Sequence, residues 1–492
     1  MNSLAKRRVK IVCTLGPSSQ SLEQIAKLID EGMDVARLNF SHGTHEFHRK
    51  LIVNIREAAR MKSRPVAIMQ DLQGPKLRLG KLPPDGIEVQ AGDIILLHPE
   101  GASIRLSSHG KKVLPISAEI AQSVSVDTQV GARILFDDGK IATRVIQVSP
   151  PEIVVEVEVG GKLSSHKGMN LPGTPLSIPC LTEKDIEDLK FGISQGVDAV
   201  ALSFARTVQD IENLREKMKK LTQDPPLVIP KIERQEAIEY IEGIIEVSDG
   251  LLIARGDMAV EIGVERVPTI QKRLIHLCNK AGVPVITATQ MLESMISSPT
   301  PTRAEATDVA NAVFDGTDAV MLSGETASGL YPQDTVRTMS RIVVEAERVK
   351  DLYSRHPEII PTPGSIVNAI ESSAAAIAEQ VGAVAIACLT HSGMAALTLA
   401  KYRPNVPIVA IMDNESMVRR LSFVWGVRGE IIPKIVATDD LFAMVENVLK
   451  SNRWAQNEDL VVVTAGVPTL KRGTTNMVQV HRVGIPSERV SK

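Results

Sequence analysis

Eight short runs of almost unbroken apolar residues, most of them followed by helix-length amphipathic sequence, constrain this chain more than any other feature. They are KIVCTLG from Lys10, VARLNFS from Val35, PVAIMQD from Pro65, AVALSFA from Ala199, LVIPKIE from Leu227, GLLIARGD from Gly250, PVITATQ from Pro284 and AVMLSGE from Ala319. A strand without polar alternation is buried on both faces, as parallel strands covered by helices are. Helix starts fall between the runs. Ser21 with Gln24, Thr182 with Asp185, Thr207 with Asp210 and Thr302 with Glu305 each pair an N-cap hydroxyl with a polar residue three positions on. Gly32 is placed to end the first of these helices. Eight parallel strands alternating with helices predict an α/β fold built on a TIM (β/α)8 barrel rather than an open sheet.

The interval between Asp71 and Thr182 is too long for one loop, and its pattern differs. IVVEVEV from Ile153 alternates with period two, and Asp138-Gly139 is a turn signal between RILFD and KIATRVIQV. This predicts a small antiparallel β lid domain inserted after the third barrel strand, over 75–173, with hinges in GPKLRLG and NLPGTP. The barrel then occupies 1–74 and 174–345. A helix around Arg341 to Tyr353 leads to a linker marked by Pro361, Pro363 and Gly364. Beyond it AVAIACLT, PIVAIM, VRGEIIP and DLVVVTAG alternate with helical sequence, predicting an open α/β domain over 355–492.

The 492 residues suit about three domains at roughly 150 residues each. A content of 43% hydrophobic and 23% charged residues excludes wholesale disorder. The net charge of −2 argues against a nucleic-acid coat or a membrane-surface protein. Cys13, Cys180, Cys278 and Cys388 are far apart and form no CxxC pair, which disfavours a disulfide framework or zinc ribbon and favours a reducing, cytoplasmic setting. MNSLAKRRVK lacks the apolar stretch of a secretory signal, and no apolar run approaches the ~20 residues of a membrane span.

In a TIM barrel the chemistry collects where the strands end. Strand two ends Arg37-Leu38-Asn39-Phe40-Ser41-His42, strand three at Asp71, and strand five Lys231-Ile232-Glu233. Strand six ends Arg255-Gly256-Asp257, and strand seven Thr287-Ala288-Thr289-Gln290. Each alone reads as an ordinary loop residue. Cations, carboxylates and hydroxyls at five strand ends together read as a rim for an anionic substrate and a divalent metal. Glu233 and Asp257 suit a hard cation that keeps waters, such as Mg²⁺. Lys231 and Glu233 point the same way along their strand. A lysine beside a metal is what phosphoryl transfer requires. Gly256 opens a helix whose free N–H groups can meet an anion.

These residues carry a family resemblance. KIVCTLGPSS, MDVARLNFSHGTHEFH, PKIER, ARGDMAVEI, ATQMLESM, SPTPTRAEATDVANAVFDGTDAVMLSGETA and KGMNLPG strongly resemble pyruvate kinase, in order from Lys10 to about Pro332. The likeness continues more loosely through LTHSGMAALTLAKYRPNVP to GTTNM. It implies a barrel, a mobile lid and a C-terminal effector domain, assembled as a homotetramer. It implies transfer of the phosphoryl group of phosphoenolpyruvate to ADP, giving pyruvate and ATP, the last step of glycolysis. By the same resemblance Arg37 grips the phosphoryl group and Lys231 stabilises its transition state. Glu233 and Asp257 hold Mg²⁺ or Mn²⁺. Gly256, Asp257 and Thr289 form the substrate carboxylate site, with Thr289 near the carbon to be protonated. Asn39, Phe40, Ser41, His42, Arg78 and, from the lid, Lys167 form the nucleotide side. Another metal-dependent barrel acting on phosphoenolpyruvate or pyruvate would account for Glu233 and Asp257, but not for a lid carrying Lys167.

Three departures from the family pattern stand out. Leu72, Gln73 and Lys76 replace the Thr, Lys and Glu of potassium-dependent members. Asn39, Ser41, Asp71 and the carbonyl of Leu72 still offer a monovalent-cation position, but the Lys76 ammonium can supply that charge itself, so K⁺ is expected not to be required. Thr390, Ser392 and Gly393 remain in the C-terminal loop. Met394 and Ala395 stand where a sugar-phosphate pocket often has Arg and a hydroxyl residue, which points to a phosphorylated effector smaller than a bisphosphate, with Gly473 to Asn476 closing over it. Met258-Ala259 replaces Leu-Gly and is expected to be neutral. His42, His45 and His48 drift around a helix and do not form the closed ligand set of a zinc site. GMNLPGTP lacks the Gly-Lys-Ser/Thr ending of a P-loop and reads as a hinge.

Overall fold

The computed structural model describes residues 7–75, 77–103, 110–349, 365–433, 441–467 and 475–485. The linker prolines Pro361 and Pro363 with Gly364, Tyr353, the Lys76 position, and Gly473 and Thr474 of the expected effector loop lie outside these residues.

Strands β1 (Lys10–Thr14), β2 (Val35–Asn39) and β3 (Ala67–Asp71) open the barrel. The chain then leaves it for the lid, whose strands are β4 (Ile87–Val89), β5 (Ile94–Pro99), β6 (Lys112–Ile116), β7 (Arg133–Phe136), β8 (Ile141–Ser149), β9 (Glu152–Val159), β10 (Gly161–Leu163) and β11 (Met169–Asn170). It returns through β12 (Ala199–Leu202), β13 (Leu227–Ile232), β14 (Leu251–Ala254), β15 (Val285–Ala288) and β16 (Ala319–Leu322). The eight barrel strands close in the order β1-β16-β15-β14-β13-β12-β3-β2, all pairs parallel. Their unbroken apolar character has the expected cause: alternate residues face the barrel interior, where Val12, Met69, Leu252, Ile286 and Met321 pack, and the others face the surrounding helices.

The N-caps form as the spacing predicts. The Ser21 hydroxyl accepts from the Gln24 N–H, and capping boxes close at Thr182/Asp185, Thr207/Asp210 and Thr302/Glu305. Gly32 ends the first helix at φ +123°, its N–H reaching the carbonyls of Leu28 and Ile29. Each cap contributes about 1 kcal/mol.

The lid folds around its own core of Ile95, Leu97, Phe136, Val155 and neighbours. Its main sheet runs β11-β7-β8-β9-β5-β6, antiparallel except for the parallel pair β5/β6, beside a two-stranded sheet of β10 and β4. The predicted turn lies between β7 and β8, with Asp137 and Asp138 at φ +51° and +57° before Gly139.

The C-terminal domain is a five-stranded sheet ordered β19-β18-β17-β20-β21, with β17 (Ala385–Leu389), β18 (Ile408–Met412), β19 (Val427–Ile431), β20 (Leu460–Ala465) and β21 (Met477–Arg482). The antiparallel edge strand β21 escapes the sequence reading because MVQVHR is polar at alternate positions and only partly buried. Apolar clusters cover both faces of the sheet.

This domain docks on the end of the barrel where the strands begin. Asp34, Asp198 and Asp318 each precede a barrel strand and accept a strand N–H, from Ile11, Ile68 and Val285 at 2.8–2.9 Å. The same carboxylates receive Arg428, Arg419 and Arg403 of the C-terminal domain at 2.8–2.9 Å. Between these contacts Phe423 enters the apolar cluster of the barrel interior and is 2% exposed. The docking end is thus occupied, and the opposite rim is left open for the site.

Candidate active site

Strand register brings the charged residues to one level. Thr14 pairs with Arg37, Asn39 with Asp71, and Asp71 with Ala201. Asp71 is the hub. Its Oδ2 lies 2.7 Å from Nε and 2.6 Å from Nη2 of Arg37, and its Oδ1 lies 3.6 Å from Nζ of Lys231. Arg37 also donates to the Thr14 hydroxyl at 2.8 Å. Burial pushes the Asp71 carboxyl up, but Lys231 and Arg37 outweigh it and hold the group below the usual carboxylate range. One buried carboxylate therefore orients two cations.

Lys231 makes two more contacts: it donates to the Ser203 hydroxyl at 2.9 Å and lies 2.7 Å from Glu233 Oε1. Burial disfavours its charge, yet Asp71, Glu233 and Asp257 together raise its pKa, so the ammonium stays protonated at any physiological pH. Glu233 is 3% exposed, and its Oε2 accepts the Phe204 N–H at 3.1 Å. Asp257 lies in the first turn of the helix Arg255–Ile262 and is exposed, although protein crowds its remaining sides. That desolvation, and next the charge of Glu233, push its carboxyl up to about 6, while Lys231 pulls the other way and Asp138 of the lid adds to the rise. Two carboxylates that repel one another across neighbouring strands are the donor set a hard dication relieves. Among the described residues no group of three or more His, Cys, Asp or Glu forms a metal site. A cation here would thus have two protein carboxylates and fill its other positions with water or substrate oxygens, as Mg²⁺ does.

Thr289 follows β15 in an uncommon conformation. Thr289 and Gln290 stand at φ +68° and +54°. For a β-branched residue this is a true outlier, and the two together cost roughly 1–3 kcal/mol each. The Thr289 hydroxyl accepts the Gly256 N–H at 2.8 Å and donates to the Ala288 carbonyl at 2.7 Å. The Thr289 hydroxyl thus meets Gly256, the residue before Asp257.

The expected nucleotide residues are less uniform. Asn39 Oδ1 accepts the Ser41 N–H at 3.0 Å, which shapes the turn after β2. Phe40 is packed away: its ring stacks on His48 with centroids 4.0 Å apart, and its N–H and carbonyl bond to Asp71 and Lys184. Its side chain therefore offers a ligand no surface, and its backbone groups are engaged within the protein. The His42 carbonyl is bonded to the His48 ring, and His45 to Asp188. Arg78 and Gly168 form a bridge between the two lid connections. Lys167 is tied to Asp137 at 2.7 Å. At the monovalent-cation position the Leu72 carbonyl accepts from Ser203 at 2.8 Å. In the C-terminal domain the Thr390 hydroxyl accepts the Gly393 N–H at 3.1 Å, ahead of the helix Met394–Lys401, and Met394 is exposed.

The sequence pattern does not single out Thr14, Ser203 or Phe204, and it places Arg255 at a strand end without a role. The first two end β1 and follow β12, so the same strand-end rule reaches both. Phe204 acts through its backbone and Arg255 through backbone carbonyls of another strand, which no sequence pattern announces.

Residues 6–336 match the family model of the pyruvate kinase barrel domain, and residues 368–481 that of the pyruvate kinase alpha/beta domain. Pyruvate kinases of Staphylococcus aureus strains MRSA252 and USA300 are 46% identical over 486 residues, spanning 97% of this chain and 81% of theirs. The crystal structure of a pyruvate kinase from Cryptosporidium parvum superposes with a TM-score of 0.90 at 36% identity, covering 98% of this chain and 97% of that one. The chain belongs to the pyruvate kinase family and is a phosphotransferase.

Proposed function

We propose that this protein transfers the phosphoryl group of phosphoenolpyruvate to ADP, giving pyruvate and ATP, as the last step of glycolysis in the cytoplasm, and that it works as a homotetramer. The observation that carries this reading is the pairing of Arg37 and Lys231 on the single buried carboxylate Asp71, beside Glu233 and Asp257. Two polyanions must approach in line, so charge repulsion and positioning dominate the barrier. Arg37, braced by Asp71 and Thr14, grips the phosphoryl oxygens. Lys231 neutralises charge that develops as the group moves. Because Asp71 holds both cations before substrate arrives, little reorganisation is needed in the transition state. Glu233 and Asp257 would hold Mg²⁺, or Mn²⁺, which when bound supplies counter-charge between the two anionic substrates. Gly256, Asp257 and Thr289 hold the carboxylate end of the substrate, and the Thr289 hydroxyl faces the carbon that is protonated.

The nucleotide side comprises Asn39, Phe40 through its backbone, Ser41, His42, Arg78 and Lys167. Lys167 must leave Asp137 to reach a nucleotide, which makes the lid hairpin part of the closing motion that excludes water. A phosphorylated metabolite binds near Thr390, Ser392 and Gly393. The test is an assay of ATP formation from phosphoenolpyruvate and ADP with Mg²⁺ present. Turnover that depends on all three supports the reading, and binding of phosphoenolpyruvate without ATP formation overturns it.

A further inference from the structure

Arg255 stands between the strand end that carries Asp257 and the one that carries Thr289, and its side chain is spent entirely within the protein. Nε donates to the Ala288 carbonyl at 3.1 Å and Nη2 to the Thr289 carbonyl at 2.6 Å. On the far side Nη1 lies 2.7 Å from Asp308 Oδ1 and 3.3 Å from Gln271 Oε1. Gln271 is itself held by Asp315 at 3.0 Å. The guanidinium thus bonds the carbonyls on either side of the Thr289 backbone, where the chain turns left-handed, and is anchored behind by two further elements. A planar fork of donors fixes two carbonyls at once in a set geometry, which a freely rotating lysine ammonium does less well.

We propose that Arg255 is a positioning residue for the proton-transfer half of the reaction: its guanidinium locks the left-handed turn at Thr289–Gln290 and so aims the Thr289 hydroxyl. The idea rests on the reading of Thr289 as the hydroxyl that faces the substrate carbon. A threonine released from such a turn relaxes to negative φ, and its hydroxyl then leaves the Gly256 N–H that now fixes it. The Ala288 carbonyl matters as well. It accepts from both Arg255 and the Thr289 hydroxyl, so occupancy by Arg255 weakens its hold on the hydroxyl proton.

The affected step can be written out. When the phosphorus–oxygen bond of phosphoenolpyruvate breaks and the phosphoryl group passes to ADP, the enolate of pyruvate remains. The C=C π pair of the enolate takes one proton at the methylene carbon to form the methyl C–H bond, and a lone pair of the enolate oxygen becomes the carbonyl π bond. The proton comes from solvent by way of the Thr289 hydroxyl. Phosphoryl transfer precedes this step and uses Arg37 and Lys231, which Arg255 does not touch. Loss of Arg255 should therefore divide the two half-reactions.

The experiment compares Arg255→Met, Arg255→Lys, Asp308→Asn and Thr289→Ala with the parent enzyme, each carrying Mg²⁺. Phosphoryl transfer is read as ATP formed in a single turnover by rapid quench. Proton transfer is read as deuterium uptake into the methyl group of pyruvate in D₂O with ATP present. In Arg255→Met the methyl exchange should fall about 10²-fold, the scale for an ångström of misplacement, with single-turnover ATP formation at saturating phosphoenolpyruvate within about 3-fold of the parent. Arg255→Lys should recover part of the exchange. If Arg255→Met does not fold, Asp308→Asn, which loosens the guanidinium from outside the site, carries the test with the same selective but smaller loss. Equal losses in both half-reactions, or none in exchange, while Thr289→Ala does suppress exchange, overturn the positioning role and leave Thr289 in place. If Thr289→Ala itself exchanges normally, the reading of Thr289 fails and the proposal with it.

Discussion

The Lys231 ammonium lies 2.7 Å from the carboxylate of Glu233, two residues on and just past the end of the same strand, with Glu233 buried and Lys231 partly buried at the mouth of the barrel. Strand alternation puts them on one side, and each neutralises the other until substrate and metal enter. Lys231→Met should therefore lower kcat far more than it raises the KM for phosphoenolpyruvate, by about 10³-fold or more, the scale of one preorganised charge. Steady-state kinetics on the variant check this, and near-normal kcat would remove Lys231 from the transition state.

Glu233→Gln keeps the shape and the Phe204 N–H contact but removes the charge. The Mg²⁺ concentration for half-maximal activity should rise sharply, by about 10-fold or more, the range seen when metal-site carboxylates are altered. A metal titration followed both by activity and by Mn²⁺ paramagnetic resonance distinguishes lost binding from lost turnover. An unchanged titration would exclude Glu233 as a ligand.

Turnover should not need K⁺. We propose this because, by the family resemblance, Lys76 replaces the Glu of potassium-dependent members, and an ammonium in place of a carboxylate would repel a second cation. At ~4 Å that repulsion is about 4 kcal/mol with an effective dielectric near 20. With all salts supplied as tetramethylammonium at fixed ionic strength, added K⁺ should change the rate by less than about 10-fold, or under ~1.4 kcal/mol. Larger activation would refute the idea. Lys76→Glu should be impaired without K⁺ and at least partly rescued by it, most clearly with Leu72→Thr and Gln73→Lys made together.

The C-terminal loop should take a monophosphate. We propose that the hydroxyls of Thr390 and Ser392 would hold a small anion there; exposed Met394 offers no second cation. Sugar monophosphates or AMP should activate the enzyme or raise its Tm. A bisphosphate that does both while monophosphates do neither would defeat this assignment.

Glu371, on the helix Ile366–Gln380, is fully buried, and its carboxyl oxygens have no hydrogen-bond partner among the described residues. Burial pushes its carboxyl up to about 8, with only Thr464 pulling the other way. The folded chain therefore keeps a proton that the unfolded chain releases near pH 4.5. Stability from this group is complete below that pH and is lost as pH rises through about 8, at up to roughly 1.4 kcal/mol per pH unit between the two values. Tm measured from pH 5 to 9 should fall, and Glu371→Gln should flatten the decline. A variant with the parent's slope would show that Glu371 titrates normally.

Much of the molecule was legible in the sequence because burial leaves a local trace. Strands buried on both faces, such as Leu251–Ala254, must be apolar throughout. Helices must be capped, as at Thr182 and Thr302, and the residues after the strands must carry the chemistry. Register, by contrast, is not local. That Asp71 holds Arg37 and Lys231 together follows from which strands become neighbours when the barrel closes. The tertiary fold alone decides that Phe40 turns inward, that Arg403, Arg419 and Arg428 meet the aspartates beneath the barrel, and that Arg255 reaches the carbonyls of Ala288 and Thr289. Each of these depends on residues tens to hundreds of positions apart, whose side chains meet only when the barrel and the domain packed beneath it are complete.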